Sequence, residues 1–161
     1  MDKNLKSRKE NRIKGYQYDQ PGYYFIALCT FDKQRLFGKI VNDEMIKNDL
    51  GKMVDMIWHN IPKYYNGFDV DEFIVMPNHI HLIIEIHSET QLSLFDVMGR
   101  IKTYTSNEYL RMGIKKNPNL HVGKLWQRSY YDRVIRNDDD LNRVREYIRD
   151  NPVNWGNKKG T

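Results

Sequence analysis

The chain contains one cysteine, Cys29, and no apolar stretch long enough to cross a bilayer. A single cysteine excludes an intrachain disulfide framework, and its place in an apolar run indicates a small buried thiol in a reducing compartment. The charged residues at the amino terminus are not followed by the apolar segment of a signal peptide. We therefore expect a cytoplasmic protein, and 161 residues suffice for one domain with an ordinary hydrophobic core.

Basic residues outnumber acidic ones, 26 to 21, which gives a formal net charge of +5. Together with 11 tyrosines this balance suits a nucleic-acid partner, although solvated surface charge is its more common explanation. Residues 1–16 are basic with few apolar side chains, and we predict that they form an arm ahead of a single domain at residues 17–161. Such an arm either increases solubility or follows a phosphate backbone, and the pattern does not separate the two.

Hydrophobic periodicity predicts the order strand, helix, strand, strand, helix, strand, helix. The strands are predicted at Tyr23–Phe31, Phe68–Met76, His79–Ile86 and Ser129–Ile135, and the helices at Asn48–Tyr64, at Leu92–Met112 and after the cap residue Asn137. Pro62 is expected to end the first helix early, and Pro152 is expected to stop the last one. This order indicates an α+β fold, the ferredoxin-like split βαβ plan with an antiparallel sheet, extended by a C-terminal helix. Many unrelated functions use this plan, so it does not by itself indicate an activity.

Two histidines stand at the head of the third predicted strand, on either side of Ile80. Side chains two positions apart on a strand point to the same face, so His79 and His81 are expected side by side while Ile80 enters the core. Adjacent imidazoles suit a divalent-metal site, and structural or surface histidines are the alternative for so short a motif. Glu85 has the same parity but stands roughly 13 Å along the strand from His81, which leaves it and His87 outside the predicted site.

A second polar pair, Tyr147 and Asn151, lies four residues apart on the last predicted helix, hence on one helix face. If that helix packs beside the histidine strand, Asn151 offers an amide oxygen to the ion, and Tyr147 brings its phenol to a bound phosphate. A phenol has a pKa of about 10 and becomes a nucleophile at neutral pH only when a cation favours the phenolate or a base takes its proton. Such a site suits attack on a phosphodiester, which leaves a covalent phosphotyrosine and needs no nucleotide cofactor.

Three other aromatic residues precede the last helix. Tyr130 and Tyr131 compete with Tyr147 for the role of nucleophile on sequence grounds. We interpret Trp126 as a core residue, with stacking on an unpaired base as the alternative.

Three segments are similar, in order, to the signature blocks of the REP-associated tyrosine transposases. They are Met76–Leu82 with the sequence MPNHIHL, Leu125–Arg136, and Tyr147–Val153 with the sequence YIRDNPV. These transposases are relatives of the IS200/IS605 transposases within the HUH single-strand endonuclease superfamily. The similarity extends over nearly the whole chain, and three blocks in this order are far more specific than the histidine pair alone.

The resemblance implies a ferredoxin-like fold and an enzyme that nicks and rejoins single-stranded DNA near short hairpins through a covalent 5′-phosphotyrosine. It assigns Tyr147 as the nucleophile, His79 and His81 as metal ligands and Asn151 as the third ligand, with Mg²⁺ or Mn²⁺ as cofactor. It is compatible with a monomer or a homodimer. The rival interpretation is a nucleic-acid-binding protein of the same fold without chemistry, such as a domesticated transposase.

Four cations are candidates for contact with the DNA backbone because they lie in or beside the blocks nearest the predicted site. They are Lys102, Arg128, Arg133 and Arg136. A solvated surface charge is the alternative role for each of them.

Overall fold

A computed structural model of the chain describes residues 20–87, 90–116 and 123–157. The strands are β1 Gly22–Cys29, β2 Gly38–Val41, β3 Glu44–Lys47, β4 Phe68–Met76, β5 His79–Ile86 and β6 Tyr131–Ile135. The helices are α1 Asp49–His59, α2 Ile61–Tyr64, α3 Leu94–Lys116, α4 Asp138–Arg149 and α5 Asn151–Asn154, with short 3-10 turns at Phe31–Lys33 and Trp155–Asn157. The predicted basic arm at residues 1–16 lies outside the described residues.

Four strands form one antiparallel sheet in the order β4-β5-β1-β6, while β2 and β3 form a separate two-stranded sheet. β4 and β5 form a hairpin around Pro77 and Asn78. At the end of β1, Cys29 lies opposite His79; it is half-buried, and burial raises the pKa of its thiol. This architecture confirms the predicted α+β, split βαβ plan.

The sheet separates two hydrophobic clusters, one on each face. On the larger side, α1 and α3 cover the even-numbered residues of β5 from Ile80 to Ile84. On the other side, α4 packs an apolar stripe against Phe25 and Ile83; the stripe consists of Leu141, Val144 and Ile148. Fully burying a side chain of this size stabilises the fold by roughly 1.5–3 kcal/mol. The odd-numbered residues of β5, which include both histidines, therefore share the face that α4 covers.

The predicted helix at Asn48–Tyr64 is interrupted at Asn60, which separates α1 from α2. Pro62 explains the interruption, because within a continuous helix its ring would clash with the carbonyl of Trp58 and its missing N–H would leave that carbonyl without a helical donor. As the second residue of α2, Pro62 stands in the first turn of a helix, where no such donor is required.

α3 is longer than predicted and continues through Gly113 to Lys116. It begins with a capping box in which Ser93 Oγ accepts the Asp96 N–H at 3.1 Å and the Asp96 carboxylate accepts the Ser93 N–H at 2.9 Å. The Ser93 N–H, which favours the charged carboxylate, lowers the pKa of Asp96. None of the described helices is long and apolar enough to cross a membrane.

Trp126 is a core residue, as predicted. Its indole Nε1 donates to Thr105 Oγ1 at 2.8 Å, and its ring packs beside Trp58. The next residues do not belong to β6: the Gln127 N–H still donates to the Cys29 carbonyl at 3.0 Å, and the carbonyls of Gln127 and Arg128 accept hydrogen bonds from Lys102 on α3. The strand therefore begins two residues later than predicted, at Tyr131.

Arg133 on β6 pairs with Asp140 in the first turn of α4, with Nη1 and Oδ2 2.7 Å apart. The side-chain hydrogen bond from Arg133 is the main reason why the pKa of Asp140 is lowered. The N–H of Asp140 also donates to Oδ1 of the predicted cap residue Asn137 at 2.8 Å. This carboxylate therefore connects β6 to the start of α4.

The lowered pKa of Asp140 predicts a sensitivity to acid. A carboxyl whose folded pKa is depressed stabilises the fold above its unfolded pKa of about 3.9, and this contribution is lost as the pH falls through the folded value. In urea titrations below about pH 4, we expect the free energy of unfolding to fall less steeply in Asp140→Asn than in wild type, with a loss of about 1 kcal/mol at neutral pH. Asp139→Asn removes the same charge from the same helix turn and should retain the wild-type slope. A common slope for all three proteins would contradict the prediction.

Candidate active site

The two histidines lie side by side at the start of β5, on the face covered by α4. Their ring centroids are 4.6 Å apart, with an interplanar angle of 51°. His81 is buried, and His79 is half-buried. Asn78 Oδ1 lies 2.7 Å from His79 Nδ1, an arrangement that places a proton on Nδ1 and presents Nε2 as the ligand nitrogen. The two imidazoles thus lie side by side, as their spacing on the strand predicts.

Tyr147 on α4 lies over one histidine of this pair, His81. Its ring stacks on His81 with centroids 5.4 Å apart and an interplanar angle of 28°, and it also lies in a T-shaped arrangement with Phe25 at 6.2 Å. The residue is 43% exposed, so a substrate can approach the phenol. The helix thus places a potential nucleophile beside the two imidazoles, although the sequence separates it from them by more than sixty residues.

Two ion pairs hold α4 against β4 on either side of Tyr147. Arg145 Nε donates to Asp71 at 2.8 Å, and Arg149 Nε donates to Glu72 at 2.8 Å. The hydrogen bond to Asp71 raises the pKa of Arg145. The acceptors are consecutive on β4, where a register shift interrupts the normal alternation and allows both carboxylates to reach one helix.

Asn151 follows the break between α4 and α5 and is buried, with 6% of its surface exposed. Its Nδ2 donates to the Tyr147 carbonyl at 2.7 Å, so the side-chain oxygen is the atom that can bind a cation. Pro152 follows as the second residue of α5, in agreement with the predicted end of the preceding helix. An amide oxygen is a ligand that a divalent cation accepts together with imidazole nitrogens.

The competing tyrosines occupy different places. Tyr130 packs against the larger hydrophobic cluster and lies under the Lys102 ammonium at 5.9 Å. Tyr131 is closer to the histidines, because Ala27 of β1 lies opposite both Tyr131 and His81. One strand therefore still separates Tyr131 from the imidazoles, whereas Tyr147 stacks on His81 itself.

The four cations predicted to contact DNA divide into two pairs. Lys102 Nζ donates to the carbonyls of Gln127 and Arg128 at 2.9 and 3.0 Å, and Arg133 is engaged by Asp140. Arg128 and Arg136 are exposed, and their side chains form no ion pair within residues 20–87, 90–116 and 123–157. The first pair is thus bound to other groups of the protein, while the second forms no ion pair among the described residues; contact with DNA stays a prediction for all four.

A family model for IS200-like transposases matches residues 23–151, which is most of the chain. The chain belongs to the IS200-like transposase family. A Haemophilus influenzae protein of unassigned function is 35% identical to this transposase over 161 residues, which covers 92% of this chain and 89% of the relative. A second Haemophilus influenzae protein, provisionally named a REP-associated tyrosine transposase, is 27% identical over 92 residues, 55% of this chain and 52% of its own.

Two solved structures share the fold of this transposase. A REP-associated tyrosine transposase bound to a REP hairpin aligns with a TM-score of 0.64 at 18% identity, covering 90% of this chain and 74% of the other. A Deinococcus radiodurans protein, provisionally described as a transposase, aligns with a TM-score of 0.53 at 19% identity, covering 86% of this chain and 96% of the other. The resemblance to REP-associated tyrosine transposases inferred from the three sequence blocks is thereby confirmed.

A second group of side chains that could hold a metal ion lies at the far end of β5 from the histidine pair. Asp69, Glu85 and His87 have potential ligand atoms within 4.8 Å of one another. His87 Nε2 is hydrogen-bonded to Asp69, and His87 Nδ1 lies 3.4 Å from Glu85. Because each ring nitrogen faces a different carboxylate, the three side chains contact one another in pairs instead of pointing at one common position. Tyr23 also forms a hydrogen bond with Glu85, and this bond raises the pKa of the Tyr23 phenol.

The structure adds two residues that the sequence analysis did not single out. Trp155 stacks on His79, with centroids 6.0 Å apart and an interplanar angle of 27°. The guanidinium of Arg35 lies 5.3 Å from the Trp155 ring centroid. A spacing of four residues between Asn151 and Trp155 is the one sequence signal that could have indicated the tryptophan. No local pattern connects Arg35 to the site.

Proposed function

We propose that this transposase nicks and rejoins single-stranded DNA, with Tyr147 as the nucleophile. The observation that carries the proposal is the stack of the Tyr147 ring on His81, one of two neighbouring imidazoles. Phosphoryl transfer requires a nucleophile held in line with the scissile phosphate and a positive charge near its oxygens. An exposed phenol beside two potential metal ligands offers both within one small surface.

In the proposed step, Tyr147 Oη attacks the phosphorus of a DNA phosphodiester. A bond forms between Oη and phosphorus, and the bond from phosphorus to the 3′ oxygen breaks. The phenol releases one proton and the departing 3′ oxygen takes up one, which leaves a 5′-phosphotyrosine and a free 3′-hydroxyl. Attack by a 3′-hydroxyl on the phosphotyrosine reverses the step and rejoins DNA, so no nucleotide cofactor is consumed.

His79, His81 and Asn151 would hold the divalent cation, with the imidazole nitrogens and the amide oxygen as ligands. When bound, Mg²⁺ or Mn²⁺ would polarise the non-bridging oxygens of the scissile phosphate and favour the phenolate. Asn78 keeps the His79 ring in one orientation through its hydrogen bond to Nδ1. The hydrogen bond from Asn151 to the Tyr147 carbonyl couples the third ligand to the helix that bears the nucleophile.

We propose single-stranded DNA with hairpins as the partner. The solved REP-associated tyrosine transposase that shares this fold is bound to a REP hairpin, and the chain has a formal net charge of +5. Arg128 and Arg136 are the best candidates for contact with backbone phosphates because both are exposed. Lys102 and Arg133 would support these contacts indirectly, through the carbonyls and the carboxylate that they bind.

The test is a search for a covalent protein–DNA adduct. Purified protein is mixed with labelled single-stranded hairpin DNA from the sequence flanking its gene, with Mn²⁺ or with EDTA, and resolved on a denaturing gel. We expect a retarded band with Mn²⁺ that is missing with EDTA. Specific binding without a covalent band under Mg²⁺ or Mn²⁺ would instead support the binding protein without chemistry.

A further inference from the structure

Arg35 lies on the exposed segment between the first 3-10 turn and β2. This segment is tied to the turn that precedes the histidine strand. The Phe37 N–H donates to the Pro77 carbonyl at 3.1 Å, and Asn78 Nδ2 donates to the Lys33 carbonyl at 3.3 Å. Asn78 is also the residue whose Oδ1 binds His79. The backbone around Arg35 and the orientation of His79 are therefore set by the same turn.

Trp155 supports the Arg35 side chain from the other end of the chain. The guanidinium lies over the indole at 5.3 Å, and the same indole stacks on His79 at 6.0 Å. Arginine, tryptophan and histidine thus follow one another from the surface to the candidate metal ligands. An arginine that stacks on a ring uses its face, while its N–H donors point outward in the guanidinium plane and match the oxygens of a phosphate.

Arg35 differs from the other arginines near the site in its ion pairing within residues 20–87, 90–116 and 123–157. No carboxylate forms an ion pair with it in the part of the chain that the structure describes, whereas Arg133, Arg145 and Arg149 all have acidic partners. An exposed arginine held in one orientation beside a candidate nuclease site, with no acidic partner there, is suited to a phosphate of the substrate.

We propose that Arg35 and Trp155 form a phosphate-binding subsite beside His79, which holds a backbone phosphate of the single-stranded DNA next to the scissile one. The inference rests on the proposed function for the identity of the polyanion. Arg35 supplies the charge and the hydrogen-bond donors, and Trp155 is a positioning residue that acts through Arg35. The subsite would set the register of the strand at the nucleophile.

The test measures binding without chemistry. In full-length protein carrying Tyr147→Phe, with EDTA present, the Kd for a fluorescent single-stranded oligonucleotide with the flanking hairpin is measured by anisotropy over a series of salt concentrations. We expect Arg35→Gln to weaken binding about tenfold and to reduce the slope of log Kd against log salt by about 0.7, the value for one phosphate contact on a single strand. Arg35→Lys keeps the charge and loses the planar fork, so its Kd should lie between those of the Tyr147→Phe parent and Arg35→Gln.

Arg111→Gln is the matched control, since Arg111 is exposed on α3, beyond the opposite face of the sheet, and pairs with Glu108. It should change Kd less than about twofold. Trp155→Leu should weaken binding in the Tyr147→Phe parent. It should add little to the effect of Arg35→Gln, because both changes remove the same contact with the phosphate. Thermal melting confirms that each variant is folded.

The two proposals fail in different ways. A Kd and salt slope in Arg35→Gln equal to those of Arg111→Gln would overturn the subsite, even if the wild type forms its covalent adduct. Conversely, a wild type that forms no adduct, while Arg35→Gln weakens binding, would contradict the nuclease chemistry and retain the subsite. A parent protein that does not bind the oligonucleotide at all would overturn the subsite, and it would also overturn the proposed function only if the wild type forms no adduct with Mn²⁺.

Discussion

Replacing Tyr147 with phenylalanine is expected to reduce formation of the covalent protein–DNA adduct by at least about a thousandfold, because the new side chain has no oxygen to bond to phosphorus. The ring and its stack on His81 are retained, so the fold and the binding of DNA should change little. The measurement is the rate of adduct formation on a denaturing gel with Mn²⁺. Melting temperature and anisotropy on the same preparation separate a chemical defect from a folding defect.

Tyr131→Phe is the informative control for that experiment. It removes the same hydroxyl from a tyrosine on the same face of the sheet, one strand further from the imidazoles. We expect its adduct rate to stay within about threefold of wild type, since the hydroxyl would touch no reacting atom. An adduct that persists in Tyr147→Phe and disappears in Tyr131→Phe would transfer the role of nucleophile to Tyr131.

Replacing both histidines with phenylalanine is expected to abolish binding of Mn²⁺ at the site and to slow adduct formation at least about a hundredfold. Phenylalanine keeps the aromatic packing of His81 against Phe25 and Tyr147 while it removes every ligand nitrogen. Binding is measured by calorimetric titration of His79→Phe/His81→Phe with MnCl₂.

Two further histidines serve as controls for the loss of metal. His59→Phe makes the same change on α1, away from the site, and should behave as wild type. His87→Phe alters the group of Asp69, Glu85 and His87. If Mn²⁺ binding survived the double substitution and was lost in His87→Phe, the functional ion would lie at the far end of β5, contrary to the assignment.

The order of the elements and the shared face of the histidines follow from the sequence because they depend on local patterns. Alternation along β5 places His79 and His81 opposite to Ile80, and the stripe of α4 fixes which side of that helix meets the sheet. An early end of the first helix was predictable from Pro62, which cannot continue a helix, although the exact position of the break was not. What could not be predicted are contacts between segments that are distant in the chain.

The ion pairs of α4 illustrate this limit. Asp71 and Arg145 meet only because a register shift in β4 turns a carboxylate toward the helix, and such a shift has no reliable sequence signature. Arg35 and Trp155 are likewise brought together by tertiary structure, through a turn at one end of β5 and a helix break near the end of the described chain.

The unequal coverage of the two sheet faces has a consequence for local unfolding. α4 is held by three buried side chains, by its two arginine pairs with β4 and by the pair between Asp140 and Arg133. The strands β1 and β5, in contrast, are covered by a hydrophobic cluster on each face. Detaching α4 exposes only the smaller cluster, so this local opening requires less free energy than global unfolding. The backbone amides of α4 should therefore exchange with solvent deuterium faster than those of β1 and β5. The phenol is thus carried by an element that can be released by itself, while both imidazoles belong to the part of the protein that opens last.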